Sequence, residues 1–136
     1  MDLQLKGKTA LVTGASMGIG RAIARALATE GVKLAVVARR ESLLEELSRE
    51  IAAAGAPAPE IIVADVMPEG AAEGIAAETR RRLGPVEILV NSAGGSQPAL
   101  PVDAPESKWL EAMTLNYMRV RQLTHALLPG MIVPVM

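Results

Sequence analysis

The chain has no cysteine and no phenylalanine, and it carries one tryptophan, one tyrosine and one histidine among its 136 residues. Without cysteine there is no disulfide framework and no thiolate metal site, and the absence fits a reducing compartment. No basic block stands out and the net charge is −1, so nucleic acid has no electrostatic footprint to recognise. No apolar run approaches the roughly 18 residues of a membrane-spanning helix, and Met1-Asp2 opens the chain with no basic-plus-apolar leader. A cytoplasmic protein with no membrane partner is therefore expected. No His/Cys/Asp cluster suggests a metal. Half of the residues are apolar, so with aromatics this scarce the core must be built from Ala, Val, Ile and Leu. Those side chains suit helices packed closely on a buried sheet. The length suits one domain over residues 1–136.

What is present is a repeated strand-to-helix pattern. Apolar runs at 8–13, 33–38, 60–64 and 86–90 read as strands, nearly continuous in hydrophobicity as central parallel strands are. Amphipathic runs at 18–30, 41–54, 69–82 and 106–128 read as helices. Gly31 and Gly55 fall where helices end. Residues 96–105 carry three prolines and read as a loop, and the tail from 129 to 136 is apolar with two prolines. The alternation predicts an α/β, Rossmann-type doubly wound parallel sheet. The triplet Arg80-Arg81-Arg82 closes a helix, where cations complement the dipole by about 0.3–1 kcal/mol each.

The first unit carries the chemistry. Thr13-Gly14-Ala15-Ser16-Met17-Gly18-Ile19-Gly20 joins the first strand to the first helix. Gly14 would let the chain turn sharply, Gly18 would let the backbone approach a pyrophosphate, and Gly20 would let the helix pack on the sheet. Ser16 could add a hydroxyl donor. A helix N-terminus offers free N–H groups and positive potential to a phosphate. At the end of the second strand a carboxylate would bind the ribose 2′-hydroxyl of NAD. Here Arg39 and Arg40 stand instead and suit the 2′-phosphate of NADP. The alternative is a solvated helix start, which the helix dipole makes a poor place for cations. Asp65, ending the third strand, could accept from an adenine amino group or cap the next helix, since Asp favours both roles.

TGASMGIG, Asp65-Val66, Asn91-Ser92-Ala93-Gly94 and Leu115-Asn116 resemble, in order and spacing, the short-chain dehydrogenase/reductase family, most closely members similar to 3-oxoacyl-carrier-protein reductase. The resemblance runs from residue 5 to about 131. It implies a sheet ordered 3-2-1-4 and a nicotinamide cofactor held by Thr13, Gly14, Ser16, Met17, Gly18, Ile19, Gly20, Arg39, Arg40, Asp65 and Val66. It adds Asn91, Ala93 and Gly94 lining the same cleft. It implies hydride transfer between the cofactor and a small carbonyl or alcohol substrate, Asn116 as a catalytic residue at a local helix distortion that helps hold a relay water, and pairing of copies through the helix at 106–128.

Two departures qualify that expectation. Met17 stands where many NADP-preferring members carry Arg or Lys. The family's catalytic Ser and Tyr-x-x-x-Lys lie beyond the asparagine helix and are not among these 136 residues. Tyr117 is followed at +4 by Arg121 and does not match the family's acid, and His125 reads as a structural or surface residue. The sequence is therefore expected to be a cofactor-binding part, incomplete at its C-terminus. The other reading is a non-catalytic nucleotide-binding module or inactive assembly partner.

Overall fold

The computed structural model describes residues 1–95 and 102–132. Part of the expected proline-rich loop, 96–101, and the end of the tail, 133–136, lie outside them. Four strands, β1 (Thr9–Thr13), β2 (Lys33–Ala38), β3 (Glu60–Val63) and β4 (Ile88–Val90), form one parallel sheet in the order β3-β2-β1-β4. Thr9 to Thr13 pair in register with Lys33 to Val37, and Ala10 to Val12 with Ile88 to Val90. The helices are α1 (Gly18–Thr29), α2 (Glu41–Ala53), α3 (Ala71–Leu83), α4 (Glu106–Met113) and α5 (Arg119–Met131). A π-helical turn, Thr114–Met118, joins the last two.

Both faces of the sheet are buried because successive strand residues point to opposite sides. Ala10, Val12, Leu34, Val36 and Ala38 meet Ala24 and Ala28 of α1 and Leu44, Leu47 and Ile51 of α2. Leu11, Ala35, Val37 and Ile62 meet Ala72, Ile75 and Ala76 of α3 and Leu123 and Leu127 of α5. The small side chains on α1 and α3 let these helices lie close to the strands, which is how a core almost free of aromatics fills its space.

Three boundaries differ from the expectation by more than one residue. β4 begins at Ile88 because the carboxylate of Glu87 accepts the N–H of Thr9 at 3.3 Å, a side chain standing in for a ladder carbonyl. α3 begins at Ala71 because Pro68 to Gly70 make a turn in which Ala71 N donates to Pro68 O at 3.1 Å. The single helix expected over 106–128 runs to Met131 but is interrupted by the π turn, where the N–H of Arg119 donates to Thr114 O. The arginine triplet does more than complement a dipole. Arg80 donates to Ala126 O at 3.0 Å and so ties α3 to α5, Arg82 donates to Ile61 O of β3 at 2.8 Å, and Arg81 and Arg82 both hold Glu78. Glu78 is thereby kept ionised far into acid, its pKa lowered to about 2 by hydrogen bonds from Arg81 and then Arg82.

Candidate functional site

At the C-terminal ends of the strands lies a cleft of about 840 Å³. Its floor is the turn after β1. The turn folds as it does because it is built against the segment after β4: a Cβ on Gly14 would lie 2.6 Å from Ser92 O and 2.7 Å from Ala93 N. Thr13, 1% exposed, supplies the join, its hydroxyl accepting Ser92 N at 3.2 Å and Ala93 N at 3.1 Å. Gly20 is packed under the Gly14 carbonyl and beside Ser92 Oγ. Gly18 has φ of +60° and open space where a Cβ would stand. There the first turn of α1 presents its N–H groups, with no acidic side chain and no capping side chain to occupy them. A phosphate group fits this cradle.

The cleft wall brings together Gly14, Ser16, Met17, Arg39, Asp65, Val66, Ala93 and Gly94 of the expected residues. Arg39, exposed at the end of β2, faces it. Other expected residues are placed behind or beside it. Thr13 and Gly20 are buried beneath the floor, and Ile19 is 76% exposed on the first turn of α1. Arg40 turns back, its guanidinium contacting Met17 Sδ, so the two positions are neighbours in space. Asn91 donates to Thr124 Oγ1 at 3.2 Å and so ties β4 to α5. Asp65 is not a helix cap, because α3 starts six residues later. Its Oδ1 accepts Met67 N at 2.9 Å, an Asx turn that shapes the connection after β3.

Asn116 lies within the π turn and its side chain is fully engaged. Its Oδ1 accepts Gly95 N at 2.9 Å, and its Nδ2 donates to Gly95 O at 2.8 Å and to Ala112 O at 2.9 Å. The amide thus clamps both main-chain groups of one glycine on the β4–α4 connection. A Cβ on Gly94 would fall 2.7 Å from Asn116 Oδ1, so a side chain there would displace this amide.

Sequence reasoning missed the outer wall. Lys108, Trp109, Glu111 and Ala112 of α4, with Leu115, line the cleft. The sole tryptophan, 55% exposed there, was the one available signal. Among the described residues no group of three or more His, Cys, Asp or Glu could hold a metal, and no helix is long and apolar enough to cross a membrane.

Comparison with known proteins follows the same outline. The short chain dehydrogenase family model matches residues 8–134. A short chain dehydrogenase of Pseudocercospora fijiensis is 44% identical over 131 residues, covering 95% of this chain and 42% of that protein. The crystal structure of L-sorbose reductase from Gluconobacter frateurii, complexed with NADPH and L-sorbose, superposes with a TM-score of 0.90 at 33% identity over 96% of this chain and 50% of that one. The actinorhodin polyketide ketoreductase F189W, solved with NADPH, gives a TM-score of 0.83 at 34% identity, over 91% and 47%. The chain spans about half the length of these relatives.

Proposed function

Since the chain belongs to the short chain dehydrogenase family, we propose that it is the cofactor-binding part of an NADP-dependent oxidoreductase acting on a small carbonyl or alcohol substrate. When bound, the nicotinamide supplies or accepts the hydride. The observation that carries the NADP reading is Arg39 on the cleft wall at the end of β2, where a guanidinium suits a 2′-phosphate and a carboxylate would suit a free 2′-hydroxyl. The turn from Gly14 to Gly20 holds the pyrophosphate at the N-terminus of α1. Asp65 and Val66 border the adenine, and Ala93 and Gly94 border the nicotinamide half. Asn116 serves the proton relay through the turn it anchors. Its side-chain amide is committed to Gly95 and Ala112, so a relay water would be held by main-chain groups that an i→i+5 turn leaves without helical partners. Copies associate through the exposed apolar side chains Leu110 and Met113 of α4 and Tyr117 of the π turn, and the protein works in the cytoplasm.

The test is a titration of the folded chain with NADPH and NADH. Trp109 lines the cleft and reports binding by energy transfer to the reduced nicotinamide. Saturable binding with NADPH preferred is expected, with the preference narrowed by Arg39→Glu. A folded sample that binds neither nucleotide would overturn the reading. A second reading is a nucleotide-binding module without turnover. Carbonyl reduction by a preparation of verified mass 14.2 kDa would exclude it.

A further inference from the structure

Arg119 follows the π turn and is half-buried. A guanidinium is costly to withdraw from water unless its donors are used. Here Nε donates to the main-chain carbonyl of Met67 at 2.8 Å, and Nη1 donates to Gln122 Oε1 at 3.0 Å. Met67 lies on the connection between β3 and α3 and is itself part of the cleft wall, beside Asp65 and Val66. Between Ala64, whose N–H still donates to Ala38 O, and the turn at Pro68 to Gly70, that connection has no helix or strand ladder to hold it. Its shape rests on the Asp65 carboxylate, which takes Met67 N from one side, and on Arg119, which takes Met67 O from the other. Asn116, three residues before Arg119, holds the opposite wall at Gly95. A π turn contains one residue more than an α turn, so the side chains beyond it are rotated by about 100° relative to an uninterrupted helix. One local irregularity therefore aims Asn116 at one wall and Arg119 at the other.

We infer that Arg119 is a positioning residue for the dinucleotide, fixing the β3–α3 connection to the same π turn that fixes the β4–α4 connection, so that the two walls of the cleft order together. The inference rests on the cofactor reading above and deepens it by naming what keeps the walls in register. A charge-assisted bond to a loop carbonyl is well suited to this, because it is strong and directional and spans elements that share no sheet pairing.

The experiment compares wild type, Arg119→Met, Arg119→Lys and Arg121→Ala. The Met variant keeps the apolar stem and removes the donors. Lys restores a charged donor. Arg121 is exposed on the same helix and controls for net charge. Calorimetric titration with NADPH and with 2′,5′-ADP is paired with thermal melting and with hydrogen exchange of backbone amides. Arg119→Met is expected to weaken both ligands by roughly 3- to 30-fold, Arg119→Lys to recover part of the loss, and Arg121→Ala to change nothing. In wild type, NADPH should slow exchange at Met67 and Gly95 together, and in Arg119→Met at Gly95 alone. Unchanged affinities with only a lower melting temperature would make Arg119 a prop for α5 and overturn the inference. So would wild-type protection at Gly95 without protection at Met67, a result that needs no variant to fold. Wild type that binds neither ligand would remove the cofactor reading itself, and a binding wild type with an indifferent Arg119 would remove only the positioning role.

Discussion

Substituting alanine for the three glycines of the β1–α1 turn one at a time separates two costs that any single replacement would mix. Gly14 and Gly18 both have left-handed backbone, at φ of 63° and 60°, a conformation that costs an alanine about 1–2 kcal/mol. A Cβ on Gly18 meets nothing within 4 Å, whereas on Gly14 it meets the main chain of Ser92 and Ala93 at 2.6–2.7 Å. Gly20 is the converse case. Its backbone is helical, but a Cβ would be driven into the Gly14 carbonyl and would stand 2.8 Å from Ser92 Oγ. Overpacking against backbone costs about 1–3 kcal/mol, offset at Gly20 by up to about 1 kcal/mol of helix propensity. The expected losses are therefore about 1–2 kcal/mol for Gly18→Ala, up to about 3 kcal/mol for Gly20→Ala, and about 2–5 kcal/mol for Gly14→Ala, where both costs fall together. Urea unfolding followed by far-ultraviolet circular dichroism measures all three, provided the slopes with denaturant agree. If Gly14→Ala proves no worse than Gly18→Ala, the turns after β1 and β4 are not in contact and the description of the cleft floor is wrong. Nucleotide titration adds a second axis, because Gly18→Ala should lose NADPH affinity out of proportion to its loss of stability.

Asn116→Ala removes two hydrogen bonds to Gly95, each worth about 0.5–1.5 kcal/mol, so exchange at the Gly95 amide should accelerate by roughly 5- to 100-fold at constant pH while the sheet amides stay protected. Equal acceleration throughout the sheet would show that the clamp is global and not local. The Glu78 carboxyl, held at a pKa of about 2 by Arg81 and Arg82, has its folded value below its unfolded value. Its contribution to stability is thus present above about pH 4.5 and lost progressively as the pH falls toward 2. Glu78→Gln should flatten the fall of the urea midpoint between pH 5 and pH 2.5, and high salt should shrink the difference because the group is exposed. An identical pH profile for the two proteins would show that the Arg81–Glu78–Arg82 cluster adds nothing to folding.

The sheet was legible in the sequence because its units are local. Four apolar runs, each followed by an amphipathic one, specify strands buried on both faces, and the order β3-β2-β1-β4 follows once the resemblance is admitted. The glycine turn was legible too, since Gly14 and Gly20 pack against main chain and Gly14 and Gly18 take left-handed backbone. What stayed hidden is where side chains reach across the fold. Thr13 reads as a cofactor residue and proves to be a buried joint to Ser92 and Ala93. Asp65 reads equally as a cap, because nothing local shows that Pro68 and Gly70 delay the helix. The π turn came from the family resemblance alone, as Thr114 to Met118 are unremarkable helix formers by composition. Arg119 drew no notice because its partner is a backbone carbonyl 52 residues away, and a carbonyl leaves no mark in a sequence.

The joint between Thr13 and the Ser92-Ala93 amides spans 79 and 80 residues, and this sets a timetable. The glycine turn leaves the ribosome before its supports do, since they follow roughly 4–16 s later at ordinary rates of synthesis. Until β4 arrives, the motif is a peptide with the right glycines and nothing to lean on. On the proposed cofactor reading, nucleotide capture must wait for β4, and a shorter peptide carrying the whole motif should fail to bind NADPH. The turn is local when read as text, but it is assembled from two adjacent strands far apart in the sequence, so an intact turn requires that the chain has folded as far as Ala93.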